Sequence, residues 1–291
     1  MSGEEYRHRP LDGLFSLPYE RLSNADIAEV SSYAEASVSS SPSGRVKHLA
    51  LLFHLIHLLQ LSGVRFAVKG GIILQYILGE RARPTHDLDL IIPGGSDELV
   101  EKLRTTIASQ TGSTSFRIAS YTKIPAGSAY YYDSFHVRIE VIHEGEPFAE
   151  LSIDGIANPF FEKIELSRFP IPPIIAKDAF FLGVPPEYLF AEKLAAITNE
   201  LPRPYKHLVD AYSLLSTEID VPKLRKYLAI IRKSDDEVRK KLGKEIADPR
   251  YQIPEDKPFV STYLFPALHS GYQIGEGEMR DAVNEWMKTH L

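Results

Sequence analysis

The chain contains no cysteine among its 291 residues. This absence excludes disulfide cross-links, thiolate zinc sites and cysteine nucleophiles, and it agrees with a reducing compartment. Long hydrophobic runs are also missing, since no apolar segment approaches the roughly 20 residues that span a bilayer. The acidic, polar N-terminus lacks the pattern of a signal peptide. We therefore expect a cytoplasmic protein that does not enter a membrane.

Positive charge is in the minority, with 33 Lys and Arg against 39 Asp and Glu, which gives a net charge of -6. The chain as a whole therefore does not attract nucleic acid by its net charge. Basic residues are nevertheless concentrated in one region, at Lys223, Arg225, Lys226, Arg232, Lys233, Arg239, Lys240, Lys241 and Lys244. This cluster either follows an RNA backbone or forms the solvated face of two amphipathic helices.

The sequence divides into three regions. Residues 1–44 are rich in Ser, Glu and Pro and form a polar lead-in segment. Residues 45–175 alternate between strand and helix patterns, which predicts a mixed β-sheet lobe with flanking helices. Residues 176–291 carry helical periodicity only, which predicts an all-helical second lobe. The predicted fold class is therefore α+β.

Periodicity also places the individual elements. Strands are predicted at 64–68, 87–92, 115–122, 129–132, 135–142 and 150–153. Helices are predicted at 45–61, 72–78, 96–109, 185–199, 205–215, 221–232, 235–246 and 276–289.

Two glycines follow the first predicted strand, in the run Lys69-Gly70-Gly71. A backbone without Cβ atoms can approach a phosphate closely. On the next strand, alternation places Asp87 and Asp89 on one face, where the two charges repel unless a cation lies between them. Mg²⁺ is commonly held by one or two carboxylates together with substrate phosphates. The alternative is an acid pair on a solvated strand edge.

A third carboxylate is expected on a neighbouring strand. Glu140 is the candidate, because it lies among β-branched residues in the alternating segment 134–142, where an unpaired charge is costly. The alternative is that Glu140 faces solvent or pairs with Arg138. The sequence thus predicts a metal site of Asp87, Asp89 and Glu140.

A lysine and an acid in the helical region complete the predicted site. Lys193 lies in an otherwise apolar helical stretch, and an ammonium directed into a cleft can neutralise a triphosphate. Asp210 lies on the following helix and can pair with Lys193 across the contact between the two helices. The alternatives are a purely structural ion pair, or a lysine that reaches water while its stem packs on the core.

These motifs, in this order, resemble the AbiEii-type nucleotidyltransferase toxins of prokaryotic abortive-infection and toxin–antitoxin systems. The resemblance covers about residues 45–217 and is carried by the segments 66–71, 83–90, 187–196 and 206–215. It implies nucleotide binding by Lys69, Gly70, Gly71, Thr85 and Lys193, metal binding by Asp87 and Asp89, and support of the lysine by Asp210.

Two positions depart from the pattern. Gly71 stands where the wider superfamily often has serine, so a hydroxyl contact to phosphate is missing there. Lys206-His207 stands where the family often has Arg-Asp, so one carboxylate is lost.

The resemblance implies a reaction and its partners. Two Mg²⁺ ions, with Glu140 as third ligand or base, align an NTP so that its monophosphate passes to an acceptor hydroxyl and pyrophosphate leaves. The acceptor is either the 3′ end of tRNA, which would block translation, or a protein hydroxyl, and the basic region favours RNA. A cognate antitoxin is also expected. The rival interpretations are a catalytically silent binding protein and an antibiotic-modifying nucleotidyltransferase.

Overall fold

The computed structural model describes residues 42–78, 82, 85, 87–110, 114–125, 133–173, 175–198, 205–241, 253 and 275–291. Nearly all of the predicted lead-in segment and the predicted strand at 129–132 lie outside these residues. The helices are α1 (Pro42–Leu61), α2 (Gly71–Leu78), α3 (Ser96–Ala108), α4 (Pro186–Thr198), α5 (Tyr205–Leu214), α6 (Val221–Lys241) and α7 (Glu276–His290). The strands are β1 (Ala67–Lys69), β2 (Asp87–Ile92), β3 (Thr114–Ile124), β4 (Ser134–His143), β5 (Glu146–Ala157), β6 (Ser167–Pro170) and β7 (Phe180–Gly183).

The seven strands form one mixed sheet in the order β3-β4-β5-β2-β1-β7-β6. The β2–β5 and β1–β7 pairs are parallel and the other pairs are antiparallel. Two residues with positive φ, Glu144 (52°) and Gly145 (87°), join β4 to β5. Positive φ at both central positions gives the turn a twist that matches the flanking strands, so this hairpin sets the register of β4 against β5. The predicted α+β class with a mixed sheet is confirmed.

Strand β2 separates an apolar face from a polar one. Leu88 and Leu90 are fully buried, whereas Asp87 and Asp89 on the opposite face are half-buried. On the apolar side, helix α1 is buried over most of its length from Leu49 to Leu59. Burial of that much apolar surface fixes the sheet against α1 and leaves the acidic face turned the other way.

The last two strands were not predicted from the sequence. The proline-rich passage at 169–173 indicated a boundary between lobes, yet β6 and β7 pair with each other across it, and β7 adds in parallel to β1. The predicted division after residue 175 therefore falls between two strands of one sheet. Both strands have only four residues, too few for alternation to distinguish them from loop.

Beyond β7, the described elements are all helical. Helix α6 runs without interruption from Val221 to Lys241, whereas two helices were predicted at 221–232 and 235–246. Helix α4 packs against both α5 and α6. Within the described ranges, no helix is long and apolar enough to cross a membrane.

Candidate active site

A row of four polar residues crosses the middle of the sheet. Lys69 on β1 lies opposite Asp89 on β2. Asp89 lies in turn opposite Asp154 on β5, and Asp154 lies opposite His136 on β4. Directly opposed residues project from the same face of a sheet. We call Lys69, Asp89, Asp154 and His136 the polar rung.

Asp87 projects from the same face as the polar rung, two residues before Asp89. Its register partner is Ser152, whose hydroxyl donates a hydrogen bond to Asp87 Oδ1 at 2.5 Å. His136 Nδ1 lies 2.7 Å from Asp154 Oδ1. A carboxylate can only accept, so the imidazole is the donor. Among the residues that the structure describes, Asp87 and Asp154 thus each accept one side-chain hydrogen bond on Oδ1, which leaves Oδ2 for a further partner.

Gly70 forms a bend directly against Asp89. Its φ is +68°, in the left-handed region that favours glycine. A Cβ added to Gly70 would overlap Asp89 Oδ2, deep inside van der Waals contact. The Gly70 carbonyl accepts a hydrogen bond from the Leu74 amide at 3.1 Å, so helix α2 begins at this bend. The first amides of a helix have no acceptor within it, and they can bind an anion.

Gly71 lies directly against the side chain of Thr85. A Cβ on Gly71 would overlap Thr85 Oγ1, and Thr85 itself is buried with its hydroxyl 3.2 Å from the Asp87 carbonyl oxygen. The hydroxyl that Gly71 lacks is therefore replaced in this space by the hydroxyl of Thr85. This explains locally why serine does not stand at position 71.

Lys69 links the sheet to helix α4. Its ammonium lies 3.0 Å from Glu192 Oε1, and both side chains are mostly buried. Burial lowers the pKa of Lys69, but the carboxylates of Glu192, Asp89 and Asp154 raise it by more, so the pKa ends above its ordinary value of 10.5. Lys69 therefore carries its charge at neutral pH and offsets part of the negative charge of the two acids beside it.

Lys193 and Asp210 form the ion pair that the sequence predicts. Lys193 Nζ lies 2.8 Å from Asp210 Oδ2, and the two side chains are 8% and 2% exposed. His207 Nδ1 lies 3.5 Å from the same ammonium. Because Glu192 and Lys193 are neighbours on α4, the contact of Glu192 with the sheet also holds the part of the helix that carries Lys193.

Glu140 lies outside this group. On β4 it stands opposite Glu150, four residues along the strand from His136, and Arg117 Nε on β3 donates to its carboxylate at 3.0 Å. The third acid beside the pair is instead Asp154, which the sequence analysis missed because the predicted strand ended at Ile153. The polar–apolar alternation of Ser152 and Ile153 continues through Asp154, and this was the available signal.

A family model described as nucleotidyl transferase AbiEii toxin, type IV toxin–antitoxin system, matches residues 51–268. That match covers well over half of the chain. This chain belongs to the AbiEii family. It is therefore a nucleotidyltransferase toxin of a toxin–antitoxin system, as its motifs predict.

Two solved structures are similar to this chain, and the first of them supports the fold. The nucleotidyltransferase toxin MenT4 (Rv2826c) of Mycobacterium tuberculosis H37Rv is 24% identical, with 76% of this chain and 73% of MenT4 covered and a TM-score of 0.50. A nucleotidyltransferase of H. pylori, described as putative, is 14% identical, with 87% and 98% covered and a TM-score of 0.45. The comparison with curated proteins gave no match.

The three aspartates on the polar face of the AbiEii-family sheet have oxygen donors, which are the ligands that a hard divalent cation prefers. Asp87, Asp89 and Asp154 offer carboxylate oxygens from two adjacent strands, the ligand type that Mg²⁺ prefers. In the described part of the chain, no three acidic or histidine side chains already converge on one point. Any cation held by these acids would take its remaining ligands from substrate phosphates, as is usual for Mg²⁺.

Part of the positive charge in the basic region of this chain is paired with a carboxylate. Lys226 Nζ and Lys223 Nζ lie 2.6 Å and 3.4 Å from the carboxylate of Glu165, and Arg225 donates to the His290 carbonyl at 2.6 Å. Pairing with Glu165 removes part of the field that these two lysines would offer to a polyanion.

Proposed function

We propose that this toxin transfers a nucleoside monophosphate from an NTP to the 3′ end of tRNA, releases pyrophosphate, and so blocks translation. The observation that carries the proposal is the side-by-side placement of Asp89 and Asp154, with Asp87 on the same face, against the bend at Gly70. Family membership supplies the reaction class, and the carboxylates supply the means to hold a metal-bound triphosphate.

The three acids hold the cofactor in this proposal. Asp87, Asp89 and Asp154 together carry more negative charge than Lys69 offsets, so the face retains a net attraction for cations. When bound there, Mg²⁺ would neutralise charge on the triphosphate and on the displaced oxygens. The hydrogen bond from Ser152 restricts the rotation of the Asp87 carboxylate.

The bend and the helix beyond it receive the phosphates. The side chain missing at Gly70 lets a phosphate approach the backbone, and the first amides of α2 provide donors. The Thr85 hydroxyl lies at the same place and supplies the polar contact that serine would supply in the wider superfamily. These groups orient the triphosphate without covalent chemistry.

Lys193 offsets charge on the triphosphate from the helical side. Its buried contact with Asp210 holds the ammonium in one position, which reduces the side-chain entropy lost when substrate binds. Lys69, beside Asp89, adds a second positive charge on the sheet side. In this arrangement the acceptor hydroxyl attacks the α-phosphorus of the NTP in line. Its oxygen bonds to the phosphorus, the bond to pyrophosphate breaks, and the hydroxyl proton passes to water. Positioning and charge provide most of the acceleration.

A transfer assay with labelled nucleotide tests the proposal. Full-length protein is incubated with each labelled NTP, Mg²⁺ and total RNA, and separately with lysate protein. We expect label at the 3′ end of tRNA with wild type, and none with Asp87→Ala or Asp89→Ala. Glu140→Gln is the matched control, because it removes an acid from the same sheet face. Label in protein alone would refute the tRNA acceptor, and label in neither would refute transfer to a macromolecule.

A double substitution separates the two roles of Lys193. Lys193→Met alone removes the ammonium that pairs with the buried Asp210 carboxylate, which costs roughly 3–5 kcal/mol in the free energy of unfolding. Lys193→Met with Asp210→Leu removes both charges and should recover most of that stability. Transfer should stay lost in the double variant, because the ammonium is still missing. Recovery of transfer together with stability would show that the pair is structural only.

A further inference from the structure

His136 is the member of the polar rung that the proposed chemistry leaves without a function. It lies on β4, one strand beyond the acids, and is partly exposed. Its Nδ1 donates to Asp154 Oδ1 at 2.7 Å. Cross-strand register holds this contact, since His136 and Asp154 are direct partners between β4 and β5. The imidazole therefore reaches the third carboxylate from the side away from Asp89.

Within the described ranges, the contact with His136 is the one side-chain hydrogen bond of Asp154, and its strand position is otherwise fixed through the backbone. Gly155 follows it, and a Cβ there would overlap the ring of Phe135, the residue before His136. The contact of the Phe135 ring with Gly155, on the face of the sheet opposite the polar rung, fixes the register of β4 against β5. It leaves the rotation of the Asp154 carboxylate about its own bonds undetermined, and the hydrogen bond from His136 removes that freedom.

We infer that His136 is a positioning residue, which turns the Asp154 carboxylate so that one oxygen is engaged and the other faces the divalent cation. The inference rests on the proposed function, because it assumes that Asp154 is a metal ligand. Hydrogen-bonded partners of metal ligands commonly contribute ten- to hundred-fold to metal affinity, since they hold the ligand in its binding orientation. A donor at this position should thus strengthen cation binding without touching the nucleotide.

The experiment measures Mn²⁺ affinity by electron paramagnetic resonance. The probe is Mn²⁺ with the α,β-methylene analogue of the nucleotide that wild type transfers, bound to the full chain. His136→Ala should weaken Mn²⁺ binding about ten- to hundred-fold, and raise by a similar factor the Mg²⁺ concentration needed for half-maximal transfer. His136→Asn keeps an N–H near the position of Nδ1 and should restore most of the affinity. His143→Ala, a histidine on the same strand that bonds Thr114, should match wild type.

The possible outcomes separate the inference from the proposal beneath it. Equal Mn²⁺ affinity in wild type and Asp87→Asn would contradict the proposed function, and the inference with it. A loss of affinity in Asp87→Asn with no change in His136→Ala would overturn the inference alone. If His136→Ala does not fold, the His136→Asn variant decides the question. A His136→Asn protein that folds like wild type but binds Mn²⁺ as weakly as Asp87→Asn would show that the donor does not position Asp154.

Discussion

The two ends of the β4–β5 hairpin treat their carboxylates differently. Near the turn, Glu140 and Glu150 each accept hydrogen bonds from an arginine, Arg117 and Arg138 respectively. In the middle of the sheet, Asp154 accepts from an imidazole, and Asp87 accepts from a hydroxyl on β5. An arginine fork places a permanent positive charge against a carboxylate, whereas the hydroxyl of Ser152 and the single N–H of His136 each donate one hydrogen bond without such a fork. The proposed cation site is therefore distinguished from the turn by the partners of its acids and not by acidity alone.

The largest effect is expected when one acid at each end of the hairpin is replaced by its amide. Asp154→Asn removes one of three proposed metal ligands, and we expect transfer to fall by about a hundred- to a thousand-fold, since a lost ligand costs several kcal/mol of transition-state stabilisation. Glu140→Gln should change transfer by less than about two-fold, because an exposed ion pair contributes little. Rates of tRNA labelling at saturating NTP measure both. A greater loss in Glu140→Gln would reverse the assignment of the third acid.

The bend at Gly70 allows the second test. Gly70→Ala introduces a Cβ where Asp89 Oδ2 now lies, so the carboxylate must move, and we expect transfer to fall by roughly a hundred-fold. Gly63→Ala is the matched control, because Gly63 has a φ of +71° and open space around it. Both substitutions should lower unfolding stability by about 1–2 kcal/mol through backbone strain. Equal transfer rates in the two variants would show that the contact with Asp89 is unimportant.

A third substitution gives the acid in the middle of the sheet an arginine partner, as the acids near the turn have. His136→Arg would place a guanidinium against Asp154, as Arg138 stands against Glu150. We expect the Mg²⁺ concentration for half-maximal transfer to rise by more than in His136→Ala, on the order of a hundred-fold. Titration of Mg²⁺ against transfer rate in the two variants measures the difference. Identical titration curves would contradict the view that charge cancellation matters at this end.

The smallest effect is expected at the turn itself and depends on pH. The hydrogen bond from Arg138 holds the pKa of Glu150 below its usual value of 4.5. A folded-state pKa below the unfolded one stabilises the protein above about pH 4.5, and that gain is lost as the pH falls through the folded-state value. Wild type should exceed Glu150→Gln slightly in unfolding free energy at pH 7, and the two should converge in acid. Urea titrations at pH 7 and pH 3 test this, and a difference that persists at pH 3 would contradict it.

The sequence pattern predicted which face of β2 is polar but not which strand lies beside it. The alternation at Asp87 and Asp89 gave both the bounds of β2 and the side on which the acids lie. The sequence analysis took the strand that carries Glu140 as the neighbour of β2, and Glu140 does project from the same face of β4 as His136. Strand order and register arise from pairing between distant segments, and these place β5 rather than β4 beside β2. Asp154 could therefore not be located from local pattern alone.

The helical part was predicted well where packing is local. Lys193 and Asp210 lie on consecutive helices, and the cost of burying either charge alone pointed to their contact, which the structure contains. The contact of Lys69 with Glu192 was missed. It joins residues 123 positions apart, and neither side chain stands out from ordinary surface residues in the sequence.

The parallel pairing of β2 with β5 also determines when the three acids can come together during translation. Ser152 and Asp87 are 65 positions apart, so a nascent chain that has emerged as far as β2 carries two acids with no third beside them. Only after β5 has left the exit tunnel and aligned with β2 can the acids assemble, and the lysine on α4 follows later still. If the proposed site is correct, an incomplete chain released before β5 is made lacks the third acid and should be inactive.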